Sequence, residues 1–375
     1  MTQHHADTSK ITGESHRAIF VVAAMPPPVH GQSVMNLIVA DSIRNYSPNN
    51  LTISNIAPSS SNILVYHLSR ISRVTIASLR ILFSPRRRIS VYSVYESGFG
   101  FLYNLLILIS ARVRMADVFI HHHTSEHCKR HSKRFAVVNW MAGVHAKHIV
   151  LSDQMKSDLQ DTYGTNLLIR VVNNGSCLSG IPKIDPNHKI FDGSISLGHL
   201  SNLTPEKGVA DVLSIFSELR SRGCPVRLEL AGPTADPSIE KAIAEFSALG
   251  DNYFRYWGPV FGERKADFLS KVDIFLFPSR YKYEAQPLVL LESMAYGAFC
   301  IAYEAGYIPE LLSSTGFLAC NREEIIDFLS SSALTPTYLI GESGRAIASS
   351  LQFRTEGRRQ LELLIEDICN KAQGG

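Results

Sequence analysis

Short, continuous apolar runs alternate along the chain with longer stretches of helical period. Residues 18–24 (AIFVVAA) are apolar throughout, as expected of a strand buried on both faces in a parallel sheet. A turn-rich loop follows at 25–33 (MPPPVHGQS), and helical spacing then runs from 34 to 43. The pattern predicts further strands at 51–56, 89–94, 117–121, 146–151 and 167–172, with helical stretches between them. After a polar, Pro-containing stretch at 181–192, which reads as a linker, a second series begins. It predicts strands at 193–200, 226–231, 254–257, 274–278 and 299–302, and helices at 207–220, 239–246, 265–270 and 287–296. Strands alternating with helices describe a doubly wound α/β sheet, here twice over, with a ligand crevice at the carboxyl ends of the strands between the units. A charged amphipathic helix at 351–372 closes the chain as a solvated surface helix or a crossing back to the first unit.

Length and charge agree with two units. The chain has 375 residues, too many for one ordinary core. Residues 1–184 hold 19 Lys and Arg against 9 Asp and Glu, and the remainder hold 18 against 25. The basic half is therefore the one expected to face something anionic. Its predicted helix at 68–83 mixes Arg70, Arg73 and Arg80 with Ile71, Val74, Leu79 and Phe83; Arg86, Arg87 and Arg88 follow, and Lys129, Arg130, Lys133 and Arg134 come later. That pattern suits an anionic membrane surface or a solvated face, and no recognised nucleic-acid motif accompanies it. The six cysteines form no CxxC pair and read as reduced thiols. Residues 1–17 carry no apolar signal-peptide core, and the longest apolar run, 99–111, is too short to span a bilayer. The expected location is cytoplasmic, with peripheral attachment to the inner membrane face.

Candidate chemistry concentrates in the second unit. In residues 278–297 (PSRYKYEAQPLVLLESMAYG), Pro287 suits the first helical position and Gly297 the C-terminal cap. Glu284 then lies just before a helix and Glu292 inside it, with open N–H groups between them. A helix start is a natural diphosphate site, and flanking carboxylates can accept bonds from sugar hydroxyls. Alternatively Glu284 is a helix-start acid favoured by the dipole and Glu292 a surface residue. In residues 195–208 (ISLGHLSNLTPEKG), Lys207 stands at a predicted helix start, where the macrodipole opposes a cation unless an anion is bound.

Lys207-Gly208, Pro278-Ser279 and the Glu284/Glu292 spacing, with Gly258 and the Gly306…Pro309-Glu310 stretch, resemble retaining glycosyltransferases of family 4 (glycosyltransferase group 1). The resemblance implies the GT-B fold, with two Rossmann-like domains facing a central crevice. It implies an acceptor-side domain at 1–185 plus the crossover helix at 351–375, and a nucleotide-sugar domain at 186–350. It places Lys207 on the donor diphosphate, Glu284 by the donor sugar and Glu292 on the ribose, with Asn202, Gly258, Gln286, Pro287 and Leu288 lining the donor. In the first unit, Gly31 corresponds to the glycine of the loop after the first strand. His123, with His122 next, corresponds to the histidine beside the transferring sugar, and Asn174-Gly175 to a structural turn at the junction.

Asn202 departs from the pattern, because the family has an arginine there; either Lys282 or Arg280 substitutes for its charge, or turnover depends more on the helix N–H groups. His123, His127 and His131 also have the spacing of a zinc site if one helix carries them. The resemblance implies no essential metal or resident cofactor. The implied partners are a nucleotide-sugar donor and a glycan or lipid-linked acceptor in polysaccharide biosynthesis, with no nucleic acid. Competing readings are a nucleotide-sugar epimerase of the same fold and an inactive subunit that serves a partner enzyme.

Overall fold

The computed structural model describes residues 17–57, 62–182, 184–185, 193–248, 250, 252–331 and 334–370. Most of the predicted linker and all of residues 1–16 and 371–375 lie outside the described residues. The first unit runs β1 (Arg17–Ala23), α1 (Gly31–Tyr46), β2 (Leu51–Asn55), α2 (Ile63–Leu82), β3 (Arg88–Val94), α3 (Phe101–Val113), β4 (Asp117–His121), α4 (Glu126–Lys129), α5 (Lys133–Ala142), β5 (Lys147–Val150), α6 (Asp153–Tyr163) and β6 (Leu168–Val171). The second runs β7 (Ile195–Leu200), α7 (Val209–Ser221), β8 (Val226–Ala231), α8 (Pro237–Ser247), β9 (Phe254–Tyr256), α9 (Gly262–Ser270), β10 (Ile274–Phe277), α10 (Leu288–Ala295), β11 (Phe299–Tyr303), α11 (Ile308–Leu312), β12 (Phe317–Ala319) and α12 (Arg322–Leu329). The last helix is α13 (Pro336–Asn370).

Each unit is a six-stranded sheet, ordered β2-β1-β3-β4-β5-β6 and β12-β11-β10-β7-β8-β9, with every strand pair parallel. The central strands β1, β5, β10 and β11 are buried at every position, as parallel strands covered on both faces must be. In the first unit α2, α3, α5 and α6 cover one face, contributing Val74, Ile107, Phe135 and Leu159 to its core. On the other face α1 lies with the end of α13, where Met35, Val39, Leu364 and Ile368 pack on Ile19 and Val21.

α13 is longer than its predicted portion because its helical pattern continues upstream through Leu339, Ala346 and Ile347 on the second unit. At about 1.5 Å per residue it reaches about 50 Å, enough to leave one unit and end on the other. At that far end Asp367 accepts ion pairs from Lys147 (2.9 Å) and Arg170 (2.6 Å), and the Ile368 carbonyl accepts from Ser90 Oγ at 2.8 Å.

The basic helix differs from its expected form. Arg70 is buried against Glu96 at 2.7 Å, and the Arg73 guanidinium donates to the Ala57 carbonyl. The inward stripe is therefore Arg70, Val74, Ala77 and Ile81, while Leu64, Leu68, Ile71 and Leu79 point outward. Glu96 supplies the reason: a carboxylate at the C-terminal end of β3 gives the arginine a partner that solvent would not match.

Candidate active site

Two tight backbone approaches build the second unit's wall. Lys207 lies in a 3-10 turn, Pro205–Lys207, and α7 begins only at Val209, so the lysine precedes the helix instead of opening it. Gly208 between them is left-handed (φ 77°), and a Cβ there would stand 2.0 Å from the Pro278 carbonyl oxygen. Only glycine permits that closure, which brings Lys207 beside the loop after β10. Gly306 (φ 57°) does the same on the other side, where a Cβ would stand 1.8 Å from the Glu284 carbonyl oxygen. The Tyr307 N–H donates to that oxygen at 3.0 Å.

The result is a fixed carboxylate. Glu284 Oε1 accepts from Lys207 Nζ and from Ser279 Oγ (2.8 Å), with the Glu284 side chain largely buried and the lysine partly exposed. The ammonium also lies over the Tyr281 and Phe277 rings, at 5.1 and 5.9 Å. Deeper in, Glu292 is partly buried on α10 and bonded to Lys265 Nζ of α9 at 2.6 Å. Burial raises the Glu292 pKa, and Lys265 opposes that shift. The two carboxylates are thus each matched to a lysine from another element. Ser279 was part of the recognised Pro278-Ser279 pair without a role, and Lys265 was not singled out from the sequence, because it lies 27 residues from Glu292 and no local motif joins them.

The start of α10 differs by one position from the expected form. Pro287 is the N-cap, with φ −61° and ψ 120°, and no side chain caps the helix. The preceding residue, Gln286, is buried and bound to the junction: its Oε1 accepts from the Asn174 N–H at 2.5 Å and its carbonyl from Asn174 Nδ2 at 2.8 Å. Arg280, one of the two candidates for the missing arginine's charge, has its guanidinium paired with Asp211 at 2.8 to 3.1 Å. Lys282 is exposed above the Tyr283 ring, and Asn202 is exposed after β7. Gly258 has φ 65°, with open space where a Cβ would be.

The first unit contributes a wall of neutral imidazoles. His148 Nε2 meets Asn139 Oδ1 (2.9 Å), His148 Nδ1 meets His122 Nε2 (3.0 Å), and His122 Nδ1 meets His127 Nε2 (2.8 Å). With Asn139 accepting at one end, each neutral ring donates along the chain to the next. Both nitrogens of His122 are therefore committed within the core. Burial pushes His127 and His123 down to about 3 and His148 down to about 4, so all three are neutral at physiological pH. The His123 ring lies tilted against His121 (4.1 Å between centroids), and its Nε2 has no hydrogen-bond partner. His30, not singled out before, caps α1: its Nδ1 accepts the Ser33 N–H at 3.3 Å while Ser33 Oγ accepts the His30 N–H at 3.0 Å. His30 is also the charge that His123 senses, a sign that the two rings are neighbours.

His123, His127 and His131 do not share a helix. α4 spans only Glu126–Lys129, and the His131 ring sits 5.2 Å from Tyr163. Among the described residues no group of three metal-binding side chains is placed to hold an ion.

The walls meet directly. A Cβ at Gly31 would lie 3.6 Å from Leu288, at the start of α10. The Ser125 N–H donates to the Tyr283 carbonyl (3.2 Å), Lys129 Nζ to the Gly306 carbonyl (2.8 Å), and Tyr307 Oη to Asp158 (2.8 Å). Ala285 and Tyr307 of the second unit pack into the first unit's core. The Glu284 loop is thus clamped between the two sheets.

Residues 194–331, most of the second unit, match the family model described as "Glycosyl transferases group 1". No curated protein matches by sequence. Among solved structures, Anabaena HepE in complex with UDP superposes with TM-score 0.68 at 16% identity, covering 94% of this chain and 99% of that one. HepE with UDP-glucose gives 0.64 at 16%, covering 92% and 99%. An E. coli trehalose-6-phosphate protein bound with UDP-2-fluoro glucose gives 0.65 at 11%, covering 95% and 100%. The fold of this chain is GT-B, and the match to the group 1 glycosyltransferase model falls on its second unit.

Proposed function

We propose that this chain moves a hexose from a nucleoside-diphosphate sugar, with uridine the base, to a hydroxyl acceptor, and that the anomeric configuration is retained. The observation that carries the reading is the Lys207–Glu284–Ser279 cluster, set just before α10 in a loop whose Tyr283 carbonyl accepts from the Ser125 N–H of the first unit. The uridine assignment draws on the UDP and UDP-sugar complexes of structures with this fold.

As the bond from C1 to the phosphate oxygen breaks, negative charge grows on the leaving diphosphate. Lys207 and the open N–H groups of α10 stabilise that charge from fixed positions, so no reorganisation is needed during the reaction. The acceptor oxygen attacks C1 from the face the phosphate leaves, and the departing phosphate oxygen takes its proton. No protein nucleophile is then required. Glu284 and His123 orient the sugar, and Glu292 accepts from the ribose hydroxyls once Lys265 shifts to share it. The acceptor is a lipid-linked glycan or polysaccharide precursor at the inner membrane face.

Turnover of UDP-hexose with a hydroxyl acceptor tests the reading. Lys207→Ala and Glu284→Ala should each lower it by at least ~10-fold, equivalent to about 1.4 kcal/mol of transition-state stabilisation. Unchanged rates in both variants would refute the assignment. Conversion of the donor sugar without acceptor, seen by NMR, would identify an epimerase instead.

A further inference from the structure

The outer surface of α2, α3 and α5 carries a second feature that sugar transfer itself does not use. These helices lie side by side, α2 against α3 and α3 against α5, on the sheet face away from α13. Not one of them contains an Asp or Glu. Most of the large hydrophobic side chains exposed among the described residues fall between Leu64 and Val144, including Phe83 (79% exposed), Phe99 (76%) and Trp140 (67%). Exposed apolar area concentrated in this way marks an interaction surface.

We infer that this face docks on an anionic lipid bilayer and lies in its interface without crossing it. Cations border the apolar surface: Arg80 and Arg87 are exposed at the end of α2 and in the turn after it, and Lys133 and Arg134 at the start of α5. Several of the cations sit on aromatic rings, Arg112 over Trp140 at 5.4 Å and Arg134 over Phe99 at 5.5 Å. Such pairs fit the headgroup layer, where the ring enters the acyl boundary and the guanidinium meets phosphate. A protein partner of ordinary surface would leave these cations facing a mixture of charges, whereas an anionic membrane complements all of them. Among the described residues no helix is long and apolar enough to span a membrane, consistent with lying on the surface.

The placement also serves the site. In a parallel sheet the helices start at the carboxyl ends of the strands, so α2 and α3 begin at the crevice rim. A hydroxyl carried by a membrane lipid would enter there. The inference rests on the lipid-linked reading of the acceptor but is tested apart from it.

The test uses the full chain with vesicles of phosphatidylcholine alone and of phosphatidylcholine mixed with phosphatidylglycerol. Co-sedimentation should favour the anionic vesicles by about 10-fold or more and weaken at high salt. Of the two tryptophans, Trp257 is buried and Trp140 exposed, so emission should shift to the blue on binding, and Trp140→Phe should abolish the shift. Leu68→Gln with Ile71→Gln should lower binding about 10-fold, and Leu363→Gln on α13 should not. Equal or absent binding to both vesicle types would overturn the inference, as would a concentration-dependent dimer abolished by the Leu68 and Ile71 changes. Hydrolysis of UDP-hexose in vesicle-free buffer is scored separately. Hydrolysis without docking removes only the membrane face, and docking without hydrolysis or transfer removes only the transferase reading.

Discussion

The two units share a fold and divide the chemistry. The second unit's wall is made of matched ions, Lys207 with Glu284 and Lys265 with Glu292, each joining two elements. Behind the first unit's wall lie the buried rings His121, His122, His127 and His148, with half-buried His123 beside them, and desolvation keeps all five uncharged. A diphosphate leaving group needs cations at one end, while a sugar needs hydrogen-bonding groups that do not repel developing positive charge. Two copies of one architecture meet both needs because their strand ends face each other.

The contrast between the walls is sharpest at two glycines. Gly306→Ala should cost about 3 kcal/mol or more, because it combines left-handed backbone strain with overlap against the Glu284 carbonyl, and it should abolish turnover. Gly31→Ala meets only ordinary contact with Leu288, so its melting temperature should stay near that of the parent. Thermal melts of both variants decide the matter, and equal losses would erase the distinction.

Acid should separate the units next. A histidine held neutral by burial takes up its proton more readily when unfolded. Its contribution is complete above pH 6.5 and declines as pH falls toward the folded values of about 3 to 4, by up to about 1.4 kcal/mol per pH unit for each group. Among the described residues the first unit holds His121, His122, His123, His127 and His148 in this way, and His30 also, whereas the second unit holds His199, lowered to about 4. Hydrogen exchange followed from pH 7 to pH 4 should therefore rise first in β4 and β5, before β7 and β8. Simultaneous loss would show that the imidazoles do not set acid stability.

The smallest effect belongs to Arg280. Its guanidinium is 64% exposed in its pair with Asp211, so Arg280→Ala should change stability by less than about 1 kcal/mol and turnover by less than about 3-fold. A loss as large as that of Lys207→Ala would restore it to the diphosphate site.

What the sequence made legible was set by local pattern. The strands of the first sheet and five of the second followed from apolar runs, while the short edge strand β12 did not, and the Lys207 and Glu284 segments followed from turn and helix signals that lie within a few residues of each. Pairings across elements were not legible: Lys265 with Glu292, Arg70 turned inward to Glu96, and Gln286 bonded to Asn174 all depend on how helices pack. The histidines show the same limit. Their spacing allowed a shared helix face, but β4 ends at His121 and α4 covers only Glu126–Lys129, so His122 and His127 meet each other and His148 in a core.

The passage of α13 from one unit to the other means that the polypeptide crosses between them twice. Those crossings touch: a Cβ at Gly175 would stand 2.0 Å from the Phe353 carbonyl oxygen, and one at Gly357 would stand 2.4 Å from Asn173 Oδ1. Two tethers fastened at one spot act as a hinge pin. Swivelling one half against the other about their long axis would shear that seam, so the wall that carries Glu284 keeps its register against the wall that carries His123.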